Sequence, residues 1–405
     1  MLPLQQLKQL YSNEQVLLVL LARLYFSTAT PEEVQDFIRQ HPPDEKRLYS
    51  IARAHRLRPF IYSILTRHGI AVGAQLAAKL QQDYRIASMR NMQLSAITTR
   101  LISEFGRLGI RLIPYKGVVL THHAYGDMGL RESSDIDFLV SPQDVEAIED
   151  YFIANGYAAK QTVPRSYLWF QKRFFKEIVY DTPEDKNGDT YSIEIHWTLT
   201  DRHAGSFPGY SFFAPHTEPH RIAALSMHKL QPAYDFLVVA SNHFVKDMFI
   251  RFRYITDMAG LLKRYNGVPD PELLLSVGRQ YHCTKKLLTG LAVAEQLIGI
   301  PSQVPGVPQH VPASFLATPL RYPVLLPRLQ FDEKKFLQRS LELQDNAWQK
   351  CRFLLRCFLY IFIPTYMDIN KFRLPGYFLP LLIILRPFRL LFEKIRPRKN
   401  KRLES

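Results

Sequence analysis

Cysteine is scarce, with only Cys283, Cys351 and Cys357 in 405 residues. Their spacing suits no metal-ligand set and three thiols cannot build a disulfide framework, so a reducing cytoplasm is the expected compartment. The opening stretch, MLPLQQLKQLYSNEQVLLVLLARLYF, lacks a basic start followed by an apolar run and a small-residue cleavage site. Its polar breaks predict an ordinary helix and argue against a signal peptide. The apolar run at 377–385 is broken by Pro380 and stopped by Arg386 and Pro387. It falls short of the roughly 20 residues that a bilayer span requires. No internal repeat is visible.

Positive charge, by contrast, is plentiful. The formal net charge is +15, and residues 371–405 hold ten Lys or Arg against two Glu, a net +8. A basic, partly apolar tail predicts an anionic partner, and apolar residues followed by clustered Lys and Arg fit an interfacial segment on anionic lipid. Residues 376–405 are therefore expected to make a peripheral contact at the inner face of the plasma membrane. Nucleic acid ranks lower, because the last ten residues do not interleave basic groups with stacking aromatics. The rest of the composition, 47% hydrophobic and 22% charged, is that of a globular protein large enough for two or three domains.

Periodicity divides the chain. LYSIARAHRLRPFIYSILTRHG and DYRIASMRNMQLSAITTRLISEFGRLG repeat apolar residues three and four apart and predict helices. The period then changes to that of strands. IRLIPYKG, DIDFLV, FKEIVYD and TYSIEIHWTL read as strands, VVLTHHAYG and SPQDVEAIEDYFIANGY as helices, and TPEDKNGD as a turn. The expected fold class is α+β, a small mixed sheet with helices on one side. The predicted segments are helices over 1–100, the sheet core over 101–222, a helical domain over 223–300, a Pro-rich linker over 301–330 and a C-terminal helical region over 331–405. Helices are expected to resume from about Ala223.

The chemistry concentrates in LRESSDIDFLV, residues 130–140. Asp135 and Asp137 are two apart on a strand and project to the same side, while Ile136 and Phe138 project to the other. Adjacent carboxylates repel, so a positive partner is required: a divalent metal first, Arg131 or Lys116 second. The same repulsion predicts that removing one acid leaves the fold intact or even raises its melting temperature. Glu194, in YSIEIHW, shares a strand face with Ser192 and His196. If the two strands are neighbours, three carboxylates converge, a donor set that suits Mg²⁺. Upstream, Gly117 would let a phosphate approach a helix N-terminus, with Lys116 adding charge.

The run YKGVVLTHHAYGDMGLRESSDIDFLV, then IEIHW, then DFLVVASNHFVKDMFIRFRYITDMAGLL resembles an uncharacterised bacterial nucleotidyltransferase family. That family lies within the DNA polymerase β-like superfamily and is often found among polysaccharide-biosynthesis genes. The resemblance implies Mg²⁺ or Mn²⁺ on Asp135, Asp137 and Glu194, and phosphate binding by Lys116, Gly117 and Arg131. It also implies a nucleoside triphosphate and a hydroxyl acceptor as substrates. His196, His243, Lys246 and Asp257 are candidates for supporting positions. Lys-Gly stands where the superfamily carries Gly-Ser, and the loop from Gly117 to Asp135 is longer than usual. A non-catalytic scaffold or sensor of the same fold is the alternative.

Overall fold

The computed structural model describes residues 1–161, 164–200, 207–222, 225–321 and 333–395. Six helices open the chain: α1 (Leu4–Leu10), α2 (Asn13–Phe26), α3 (Pro31–Gln40), α4 (Glu45–Ala54), α5 (Arg58–Arg67) and α6 (Ala74–Arg107). Two breaks depart from the expected continuous helices. Ser12 caps α2 in a reciprocal box with Gln15, which splits the first run. The second break falls at Arg56, whose φ is 54°, just before the Pro59-containing first turn of α5.

The sheet is built next. Strands β1 (Ile113–Pro114), β2 (Asp135–Leu139), β3 (Ala158–Ala159), β4 (Glu177–Asp181) and β5 (Ser192–His196) lie in the order β1-β2-β5-β4-β3. The β2–β5 pair is parallel and the other pairs are antiparallel. Helices α7 (Gly117–Tyr125), α8 (Val145–Ala154) and α9 (Leu168–Phe174) connect the strands. The alternation of β2 explains the layering: Ile136 and Phe138 join α6 and α8 in one apolar core with Phe105, Phe152, Ile193 and Ile195. The opposite face carries the carboxylates.

Strands return after the sheet, contrary to the expected helix at Ala223. A short helix, α10 (Tyr210–Phe213), precedes a hairpin of β6 (Thr217–Ile222) and β7 (Leu225–Leu230). Met227 and Leu230 of β7 are buried, whereas Lys229 is paired with Glu218 across the hairpin. Helices α11 (Pro232–Ala240), α12 (Phe252–Tyr265), α13 (Pro271–Gln280) and α14 (Thr284–Ile298) follow. A π-helical turn, Ser241–Lys246, extends α11. These helices share a single core with α1–α5, in which Leu17, Leu21, Phe60, Phe244, Leu261 and Leu297 are all buried. Val304, Val311 and Phe315, from the Pro-rich stretch, are buried in the same core. The second half of that stretch, 322–330, lies outside the described residues.

Short helices α15 (Ala313–Leu316) and α16 (Thr318–Arg321) close this layer. The C-terminal region consists of α17 (Glu333–Glu342), α18 (Ala347–Tyr360), α19 (Tyr366–Phe372) and α20 (Leu381–Ile395). Ile369, Leu379 and Leu382 anchor it on Tyr167 and Phe170. The apolar run ends at Arg386 and Pro387, but the helix does not, since α20 runs through Pro387. The last ten basic-tail residues, 396–405, lie outside the described residues. Among the described residues no helix is long and apolar enough to cross a membrane.

Candidate active site

Strand register sets the acidic row. Asp137 pairs with Glu194 across the parallel β2–β5 ladder, and Asp135 pairs with Ser192. On the next ladder Glu177 is opposite His196, so these side chains share one sheet face. Asp137, Glu194 and His196 each offer a ligand atom within 4.8 Å of the others. The tight group is therefore two acids and a histidine. Asp135 stands one register step along, accepting from Ser134 Oγ at 3.1 Å.

Two cations, the part-buried Lys116 and the buried His196, balance this row. Lys116 Nζ and His196 Nε2 both lie 3.2 Å from Asp137 Oδ1, and His196 Nε2 is 3.1 Å from Glu194 Oε2. His196 Nδ1 lies 2.9 Å from Glu177 Oε2, an ion-pair distance without hydrogen-bond geometry. Burial disfavours the charged imidazole, but Glu177, Asp137 and Glu194 outweigh it and push His196 up to about 9. Burial also works against the Asp137 carboxylate. Lys116 and His196 overcome that and hold it well below the usual carboxylate range. Asp135 goes the other way, raised by burial and by the charges of Asp137 and Glu194. Carboxylate oxygens in such a row are the donors Mg²⁺ or Mn²⁺ takes, and a histidine bridging two of them is the kind of group that orients metal ligands. The residues fit such an ion.

Lys116 holds an unusual backbone. Its φ and ψ are 59° and −150°, a region occupied almost only by glycine, and Gly117 follows at φ 47°. A Cβ on Gly117 would stand 3.1 Å from the Asp135 carbonyl oxygen. The strained pair ends the β1 segment and opens α7 beside the acidic row. Lys116→Ala and Lys116→Gly remove the same amine, so their difference isolates the strain. The glycine variant is expected to be the more stable by about 1–3 kcal/mol in urea denaturation. Equal stability would mean the chain relaxes there at no cost.

A cavity of about 220 Å³ opens over this face, lined by Asp135, Asp137 and Glu194. Four cations line it as well and form a cationic rim: Arg56, Lys246, Arg251 and Arg253. Burial and the neighbouring Arg131 lower Arg253 to about 10, and its Nε, buried, bonds to nothing among the described residues. Burial, then the charge of Arg251, lowers Arg56. Burial, then Lys176 and Lys116, lowers Lys246. Cations crowded at a dry rim are relieved by an anion with several charged oxygens.

The remaining sequence candidates divide. Arg131 lines the cavity, and the charge of Asp135 acts on it, but its bonded partner is the fully buried Asp257, 3.1 Å from its Nε. His243 Nε2 bonds the other Asp257 oxygen at 2.9 Å and its ring stacks on Tyr254 at 4.4 Å. The π-helical turn brings His243 and Lys246 to the cavity together, while Asp257 anchors from behind. Arg56, Arg251, Arg253 and Glu177 were not among the candidates, for their motifs carry no local signal. They meet the site only through tertiary packing.

The long loop before β2 is braced by the N-terminal helices. Arg58 grips Glu132 with two bonds, at 3.1 and 2.8 Å, and Arg56 reaches Ser134 Oγ at 3.0 Å. Asn91 donates to the carbonyls of Met128 and Arg131. Gly129 is required here, since a Cβ would stand 2.5 Å from Ser88 Oγ. A second cavity, about 280 Å³, borders the same face at Glu177 and Val179, walled by Phe174, Tyr360 and Tyr366.

An acidic row and a cationic rim lining one cavity over a small mixed sheet make a site suited to metal-bound polyphosphate. The model of an uncharacterised nucleotidyltransferase family matches residues 41–299, and the chain belongs to that family. The match takes in α5 and α6, which hold the loop, as well as the sheet. The chain is also similar to a solved structure, that of an antigenic nucleotidyltransferase-like protein from Paracoccidioides brasiliensis. The identity is 12% and the TM-score 0.34, over 54% of this chain and 97% of that one. No curated protein matches the chain.

Proposed function

We propose that the protein transfers a nucleoside monophosphate from a nucleoside triphosphate to a hydroxyl acceptor. The observation that carries this reading is the meeting of the acidic row and the cationic rim in the lining of one cavity. Lys246, Arg251 and Arg253 would hold the triphosphate, with the Gly117 end of α7 open to a phosphate oxygen. Asp135, Asp137 and Glu194 would hold the divalent cation, Mg²⁺ or Mn²⁺, which when bound neutralises the phosphates and stabilises the oxygens of the displacement. The acceptor oxygen attacks the α-phosphorus, the bond to the β-phosphate breaks, and pyrophosphate leaves. Glu194, half-exposed and bonded to His196, is the group nearest to take the acceptor proton. Positioning and charge neutralisation supply the catalysis.

The cavity at Glu177 is the room an acceptor would use, and the family resemblance makes a carbohydrate hydroxyl the first to try. One observation favours a second reading, a scaffold or sensor that binds nucleotide without transfer. Asp137 Oδ1 already holds two cations of the chain itself.

Inorganic tripolyphosphate separates phosphate recognition from base recognition. It should compete with a nucleoside triphosphate, and Arg251→Ala should weaken both by about tenfold, the worth of a charged hydrogen bond. Glu194→Gln should leave tripolyphosphate binding near its starting value and reduce transfer instead. Nucleotide binding that ignored tripolyphosphate and Arg251→Ala alike would remove the cationic rim from the account.

A further inference from the structure

Helix α20 faces the wrong way for a helix in water. Arg386 and Arg389 are buried on its inner side: Arg389 bonds Asp368, and the Arg386 guanidinium lies 4.7 Å over the Tyr360 ring. Leu382 points inward with them. The outer side carries Leu381, Ile384, Phe388, Leu391 and Phe392, three and four residues apart, with Phe392 65% and Ile384 59% exposed. A surface helix normally buries the apolar stripe and exposes the charges. Here the order is reversed.

The neighbouring segments repeat the pattern. Tyr377, 78% exposed, stands in the turn before α20. On α18, Trp348 is 71% exposed, and Leu355 and Phe358 lie seven and ten residues further along, on the same side. Exposed Lys371 and Arg373 flank these segments, and the sequence from Lys394 to Arg402 adds six Lys or Arg.

We propose that the outward faces of α18 and α20 dock the protein on an anionic phospholipid surface. Apolar side chains of this size enter the boundary between headgroups and acyl chains, while Lys and Arg at the flanks meet the lipid phosphates. Charge decides against a second copy as the occupant. Pairing these faces would bring together two segments that each carry a net +8 over residues 371–405. Length decides against a span, since no described helix can cross a bilayer. No residue of α18 or α20 lines the nucleotide cavity, and the exposed side chains named here line neither cavity, so this proposal stands or falls independently of the transferase reading.

The test is flotation of the full chain with vesicles of phosphatidylcholine alone and of phosphatidylcholine with phosphatidylglycerol, at low and high salt. Binding should require phosphatidylglycerol and should weaken with salt. Ile384→Ser with Phe388→Ser should reduce it at least about tenfold, as should Trp348→Ser with Leu355→Ser, with the melting temperature retained. Hydrogen exchange on the wild-type chain supplies a readout that needs no variant: amides of 347–360 and 381–395 should gain protection on vesicles. Absence of binding at low salt, equal binding to neutral vesicles, or unchanged binding of both variants would overturn the proposal. So would a wild-type dimer in sedimentation equilibrium that the serine variants dissociate while vesicles go unbound.

Discussion

Asp137→Asn is expected to reduce nucleotide transfer by about 10²–10³-fold and to destabilise the protein as well. The second half reverses the expectation from sequence, where two adjacent acids read as a repelling pair. Asp137 is instead the shared counter-ion of the part-buried Lys116 and the buried His196. Its neutral replacement takes the ion-pair partner from Lys116, while His196 keeps Glu194 and Glu177, a loss of about 2 kcal/mol. Asp135→Asn separates the two effects. The Asp135 carboxyl is raised by burial and by Asp137 and Glu194, so its charge costs the folded state stability near neutral pH. The variant should be as stable as the wild type or more so, while losing metal-dependent binding. Urea denaturation beside a binding assay decides the matter. Equal destabilisation by both variants would show that the balance assigned to Lys116 and His196 is wrong.

The second large effect lies behind the cavity. Asp257 is fully buried and binds Arg131, His243 and the Tyr125 hydroxyl. Asp257→Ala should cost about 3–5 kcal/mol, because the Arg131 guanidinium is then buried without its partner. Burial alone would raise the Asp257 carboxyl, yet Arg131 and His243 hold it well below the usual range. A depressed folded-state value gives stability that is fully present above the unfolded carboxyl pKa of about 4 and is lost as pH falls toward the folded value. The wild type should therefore weaken on acidification below about pH 4. Asp257→Asn should show a shallower slope across that window. A wild-type-like slope in Asp257→Asn would assign the acid sensitivity elsewhere.

The sheet is legible because its signal is local. Alternation puts Asp135 and Asp137 on one face of DIDFL, and Glu194 and His196 on one face of SIEIH, without any knowledge of their neighbours. Register needs more: that Glu177 faces His196 follows from an antiparallel pairing that no single segment announces. The cationic rim is less legible still. Arg56 comes from a break between two N-terminal helices and Arg251 from the turn before α12, almost 200 residues apart and brought together by the shared core and by the Phe252 N–H bond to His55 Nδ1. The bonded partner of Arg131 is hidden for the same reason, since Asp257 is 126 residues away. The β6–β7 hairpin is missed because its apolar residues are few enough to fit a helical period equally well. The reversed face of α20 is invisible in composition, where Arg386 and Arg389 read as solvent-facing charges.

The central claim is that the acidic row and the cationic rim act as one site for a metal-bound nucleoside triphosphate. Calorimetric titration of the full chain with a panel of nucleoside triphosphates, with and without Mg²⁺ or Mn²⁺, tests it most directly. Binding should appear with the metal present, vanish in Asp137→Asn, and weaken in Lys246→Ala with the metal dependence kept. Binding of equal strength without any metal, or binding that Asp137→Asn leaves intact, would contradict the account.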